Sequence, residues 1–190
     1  AYGAEISWDS HYEDHHLHLA VYRNQFVNYL FPMHTGKPAQ NNPNLMVYQN
    51  VAMPALMAGF EVGFHTHLFH QFNSDVTISY TQGDLTDLNT PMPYIPPLES
   101  NIELSVDLSD YSFGLMAHFA NQQNRVFQSE LDPLANETAT KGYAVFDLNG
   151  EYRLMNDDYI VTATMTLENV LNQEYRKHLN KVKHIFPEPG

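Results

Sequence analysis

Apolar and polar residues alternate with a period of two along most of this chain. Ile102, Leu104, Val106 and Leu108 take every second place against Asn101, Glu103, Ser105 and Asp107, so an extended strand there has one apolar and one polar face. The same pattern sets Tyr159, Val161, Ala163, Met165 and Leu167 against Thr162, Thr164, Thr166 and Glu168, with one breach at Ile160. Phe60, Val62 and Phe64 alternate with Glu61, Gly63 and His65, and Phe146, Leu148, Gly150 and Tyr152 with Asp147, Asn149, Glu151 and Arg153. Such runs predict about eight strands, near 2–10, 16–31, 58–72, 76–86, 99–108, 111–126, 142–155 and 158–170. The connections alternate too: short at 9–15, 71–75, 109–110 and 156–158, long at 32–57, 83–98, 127–141 and after 171. Short turns on one rim and long loops on the other belong to an all-β, antiparallel, up-and-down transmembrane barrel. A soluble β-sandwich shares the alternation, but has no reason to alternate its connection lengths.

Composition changes this picture little. Apolar residues make up 43% of 190 positions, enough to exclude disorder, and 12 Tyr with 11 Phe suit strands and the aromatic girdles of membrane barrels. No run approaches the roughly 18 apolar residues of a spanning helix, which leaves spanning strands open. With no Cys, the only ligand side chains are His, Met and carboxylates. A net charge of −13 argues against a nucleic-acid surface. The first ten residues lack the basic and apolar regions of a signal peptide, so the expectation is a mature protein or an internal piece.

Particular residues resemble a family. Tyr80-Thr81-Gln82-Gly83-Asp84, leading through Pro91-Met92-Pro93-Tyr94-Ile95-Pro96-Pro97 to Leu98, is similar to a loop between two late barrel strands of TonB-dependent receptors. Glu168-Asn169-Val170-Leu171-Asn172-Gln173-Glu174-Tyr175-Arg176-Lys177-His178-Leu179, followed by Pro187-Glu188-Pro189-Gly190, resembles that family's closing segment. Asn28-Tyr29-Leu30-Phe31, and Val47-Tyr48-Gln49-Asn50 leading to Gly59-Phe60-Glu61, are similar to an earlier strand pair. The resemblance implies a barrel of about 22 strands around a plug, in the outer membrane of a Gram-negative bacterium, crossed many times and energised through TonB by way of an N-terminal segment. On this reading residues 1–190 are a partial barrel, the C-terminal region without plug domain or last strand, with raw edges near 2–10 and 159–170.

The function expected is active uptake of a scarce nutrient, with lipid and a small ligand as partners, no nucleic acid and no catalysis. Neither a phosphate loop, nor a G-x-S-x-G elbow, nor an H-E-x-x-H helix is present. No resident cofactor is implied; the candidate cargo is a ferric siderophore or other metal chelate, or zinc or copper. The alternative is a small, closed barrel of about eight strands with a structural or adhesive role.

Alternation assigns Ile102, Leu104, Val106, Leu108, Val161, Ala163 and Met165 to lipid. It turns His16, His18, Glu61, His65 and His67 inward on neighbouring strands, where four imidazoles are candidate ligands for zinc or copper; the plain reading is hydrogen bonding to a plug. Met33, His34, Met46, Met53 and Met57 gather on the first long loop, and thioether with imidazole suits soft copper, although methionines more often cover apolar surface. Within this group Met33, His34 and Met53, together with Tyr94 as an aromatic contact, are the candidate ligand-binding residues. Glu13-Asp14-His15-His16 reads as a solvated acidic turn, and Asn136-Glu137-Thr138 as a glycosylation acceptor without meaning in such a membrane.

Overall fold

A computed structural model describes residues 1–69, 71–128 and 136–189, the side chain of His34 excepted. Nine strands occur among them and no helix: β1 Tyr2–Tyr12, β2 His15–Ala39, β3 Asn42–Leu68, β4 Phe72–Leu85, β5 Thr90–Pro91, β6 Glu99–Asp107, β7 Tyr111–Ala120, β8 Tyr143–Met155 and β9 Ile160–Leu167. They form one antiparallel meander, β1-β2-β3-β4-β6-β7-β8-β9, with β5 a short addition to β4. Among the described residues the path is open: β1 and β9 lie at its two edges and do not pair, which is the incomplete wall that the strand count predicts and not the small closed barrel.

Register confirms the two faces. The row Trp8↔Leu19, Leu19↔Val62, Val62↔Ile78 crosses the first four strands. Val76↔Ile102, Ile102↔Ala117, Ala117↔Phe146 continues the same face across β8, and Leu148↔Leu167 reaches β9. No second sheet packs on this apolar face among the described residues, so Phe113 is 56% exposed and Met165 63%. Sheets bury such a face against something, and an apolar face directed outward is what the wall of a membrane barrel carries. Among the described residues there is one sheet and no packed β-sandwich. The opposite face carries Glu5, Asp9, His16, His18, Glu61, His65, Asp75, Glu103, Asp107, Asp147 and Glu151.

The first long connection is not a loop. β2 and β3 run on through 32–57 to a two-residue turn at Gln40-Asn41, giving strands of 25 and 27 residues where a membrane needs about 9–11. This stretch contains Pro32, Pro38, Pro43 and Pro54, each of which removes one backbone donor from a ladder. β1 pairs with β2 as far as Gln25 and β4 with β3 as far as Ala55, so among the described residues the far part is a two-stranded ribbon, and the β3 edge beyond Ala55 tolerates proline. Smaller differences follow from turns. β3 ends at Leu68, opposite Phe72, and not near 72; β7 ends at Ala120; and the loop 83–98 includes β5.

A bulge separates the ribbon from the wall. Phe26 faces Ala55 but Tyr29 faces Met53, so β2 spends three residues where β3 spends two. The odd-numbered residues of β2, which face outward up to Gln25, therefore turn inward at Tyr29, Phe31 and Met33. There they meet a small core of Phe31, Ala55, Leu85, Met92, Ile95 and Phe127, with Met33, Met53 and Met57 packed against it.

Candidate functional site at the long-loop end

Above that core, on the inward side, lies a cavity of 640 Å³ whose wall includes Phe31, Met57, Tyr94, Phe127, Lys181 and His184. The Pro-rich segment supplies one side. Met92 is fully buried, and Gln123, itself buried, donates from Nε2 to the carbonyls of Ile95 (3.1 Å) and Pro96 (3.2 Å), which proline-rich backbone cannot satisfy within itself. Tyr94 stands between them at φ +59°, a costly conformation for an aromatic residue. Its N–H donates to Glu137 Oε2 at 3.3 Å, and Lys181 Nζ sits 6.0 Å from the centre of its ring.

Glu137 is the hinge point of three segments. Its Oε1 lies 2.9 Å from His178 Nε2 and 3.6 Å from Lys183 Nζ, off the line of a well-directed hydrogen bond, and all three side chains are buried. An ammonium only donates, so Lys183, 3.2 Å from His178 Nδ1, makes that nitrogen the acceptor and leaves the ring hydrogen on Nε2, toward the carboxylate. Burial pushes the Glu137 carboxyl up, but His178, the Tyr94 N–H and Lys183 outweigh it and hold it below its ordinary value. Burial lowers Lys183, against the pull of Glu137, and raises the Tyr175 phenol. Sequence reasoning missed this cluster. Glu137 lay hidden in a glycosylation-like triplet, and His178 and Lys183 are about forty residues away with no periodicity to join them.

Of the ligand-binding candidates, Tyr94 lines the cavity, while Met33 and Met53 pack against the core instead of lining it; the side chain of His34 is outside the described residues. The lipid candidates Ile102, Leu104, Val106, Val161, Ala163 and Met165 all share the apolar face, and Leu108, just past β6, exchanges backbone hydrogen bonds with Tyr111. His16, His18, His65 and His67 share the polar face near the short-turn end but not one centre. Asp9 Oδ1 takes His18 Nδ1 at 2.8 Å and His16 Nε2 at 3.4 Å, whereas His65 gives its Nδ1 to Asp75 and sets its Nε2 2.9 Å from that of His67. Among the described residues no group of three or more His, Asp or Glu is arranged to hold a metal ion.

An unpaired apolar face, a polar inner face, hairpins short on one side and loops packed over a cavity on the other define a segment of an up-and-down membrane barrel wall. The chain belongs to the TonB dependent receptor-like β-barrel family, whose description matches residues 1–172. It is similar in structure to the copper transporter OprC (TM-score 0.83, 22% identity, covering 99% of this chain and 29% of that one). The FrpB iron transporter from Neisseria meningitidis (0.73, 14%, 99% and 29%) and the ferripyoverdine receptor of the outer membrane of Pseudomonas aeruginosa (0.66, 14%, 93% and 24%) share the fold. The chain thus spans about 29% of the length of the first of these. No curated protein matches it.

Proposed function

We propose that this wall belongs to an outer-membrane receptor of a Gram-negative bacterium that takes up a scarce metal-bearing nutrient, energised through TonB. The observation that carries the reading is the pairing of a lipid-directed face with a cavity, at the long-loop end, fenced by aromatic rings and cations. Seven of the nine Lys and Arg residues lie at that end: Lys37, Arg125, Lys141, Arg176, Lys177, Lys181 and Lys183. Rings and cations suit an anionic metal chelate, with Tyr94 and Lys181 as its contacts. A second reading, an incompletely chelated zinc or copper ion, is supported by the carboxylates and imidazoles of the inner face and by the thioether of Met57, which lines the cavity. Uptake of a labelled ferric siderophore, zinc and copper into cells with and without the gene, and with and without TonB, tests both. One cargo is expected to depend on both the gene and TonB; uptake of all three that is indifferent to the gene overturns the proposal.

A further inference from the structure

The polar face carries an arrangement whose hydrogen atoms can be counted. Asp75 Oδ1 lies 2.6 Å from His65 Nδ1, and since a carboxylate only accepts, that nitrogen bears the hydrogen. Asn73 Nδ2 donates to Asp107 Oδ2 at 2.9 Å, which turns the amide oxygen toward His67 Nδ1. An amide oxygen also only accepts, so His67 too carries its hydrogen on Nδ1. In a neutral imidazole the other nitrogen is then a bare lone pair. Yet the two Nε2 atoms face each other 2.9 Å apart, with the rings crossed at 82°. Two lone pairs at that distance repel, and the contact needs a positive charge shared by them, either a proton on the line between the nitrogens or a metal ion to one side of it.

We infer that His65 and His67 form a two-imidazole station for a divalent first-row transition ion on the inner wall, near the short-turn end. Ligating imidazoles are commonly oriented by giving the other ring N–H to a carboxylate or carbonyl, and both rings here do so, to Asp75 and Asn73. The 2.9 Å gap is what two nitrogens span when each is about 2.05 Å from one ion at about a right angle. Adjacent positions of a tetragonal site, as Cu²⁺ and Ni²⁺ prefer, have that angle. The surroundings favour a cation: Asp75 stands opposite Glu103 across the β4–β6 pair, and His16 stands opposite His65 across β2–β3. Two protein ligands leave the remaining positions to water or to donors from elsewhere, so the ion enters and leaves readily, as a transported ion must. The station goes beyond the uptake reading and stands on the wall geometry alone.

The full-length receptor, purified in detergent and titrated with cupric ion, tests it by the nitrogen couplings of the Cu²⁺ electron paramagnetic resonance spectrum and by competition with a chelator. The double variant His65→Gln/His67→Gln is expected to lose one Cu²⁺ equivalent with a two-nitrogen signature. Asp75→Asn is expected to keep that signature and bind about tenfold more weakly, because it orients a ligand without being one. Should the double variant fail to show the gel mobility of a folded barrel, His67→Gln alone carries the test through loss of one nitrogen coupling. A folded double variant that binds as many equivalents as the parent, with the same spectrum, overturns the inference and leaves the pair sharing a proton. Loss of the equivalent with uptake unchanged still supports the station, so its fate separates from that of the uptake reading.

Discussion

The near and far parts of the β2–β3 hairpin use the same two strands and are held by opposite means. Near the β1–β2 and β3–β4 turns, Leu17, Leu19, Val21, Phe60, Val62 and Phe64 point away from the polar interior, and among the described residues no protein core covers them. Beyond the bulge, Tyr29, Phe31, Met33, Val51 and Met53 point inward, and Leu85, Met92, Ile95 and Phe127 close over them. The near part is therefore held by ladder hydrogen bonds with its apolar face turned outward, whereas the far part is a small globular assembly built on a ribbon. Hydrophobicity alone does not say which way a strand faces; what covers it does.

Breaking the far core should give the largest effect. Phe31→Ala is expected to cost about 3–5 kcal/mol locally, seen as faster amide exchange across the ribbon and residues 83–98, with β6 to β9 unchanged. An equal acceleration in both parts would show that the core is not a separate unit.

A charge on the near part's lipid face comes next. Leu104→Arg is expected to cost about 2–4 kcal/mol if it lies near the bilayer centre, and Ser105→Arg on the inner face far less. Folding equilibria of the receptor in lipid vesicles measure both, and equal costs would contradict the assignment of faces.

Gly59 tests the join. Tyr22 Oη reaches across it to Thr81 Oγ1 at 2.5 Å, and an added Cβ would stand 2.3 Å from the Tyr80 carbonyl oxygen and 2.5 Å from Tyr22 Oη. Gly59→Ala is expected to cost about 1–3 kcal/mol through overpacking, read as a lower temperature for loss of the folded-barrel gel mobility. Tyr22→Phe, which removes the hydroxyl but leaves the ring, should cost less.

The smallest effect is set by acid. Glu137 has a depressed carboxyl in the folded protein, so its stabilising contribution is complete above the ordinary value of 4.5 and is lost as pH falls through the lower folded value. Protease cleavage within 171–189 should rise over that window, and Glu137→Gln should flatten the dependence. A parent protein with no such rise would remove Glu137 as the tie between the segments.

The near part was legible because each strand has one apolar face that register must keep together; Ile102, Leu104 and Val106 share one face of β6. The ribbon was not, because its prolines and its run of Asn and Gln look like a loop, and proline is acceptable where a strand edge has no neighbour, as on β3 beyond Ala55 among the described residues. For the histidines, alternation gave the shared face but not the partners. Cross-strand placement brings His16 opposite His65, yet side-chain rotation gives the one to Asp9 and the other to Asp75. The Glu137 cluster depends on contacts between irregular segments, for which the chain has no periodic signal.

The bulge at Phe26–Tyr29 acts on β2 as a frameshift acts on a message. Up to it the even-numbered residues are read inward, and from Tyr29 to Met33 the odd-numbered ones, so the meaning of those positions depends on one supernumerary residue. Deleting Val27 or Asn28 would restore a single frame and present Tyr29, Phe31 and Met33 to the outside, whereas a deletion at the Gln40-Asn41 tip has little chain after it in the strand to misread. Length changes in this hairpin are therefore expected to be tolerated at the tip and forbidden at the bulge, although no side chain at 27 or 28 belongs to the core.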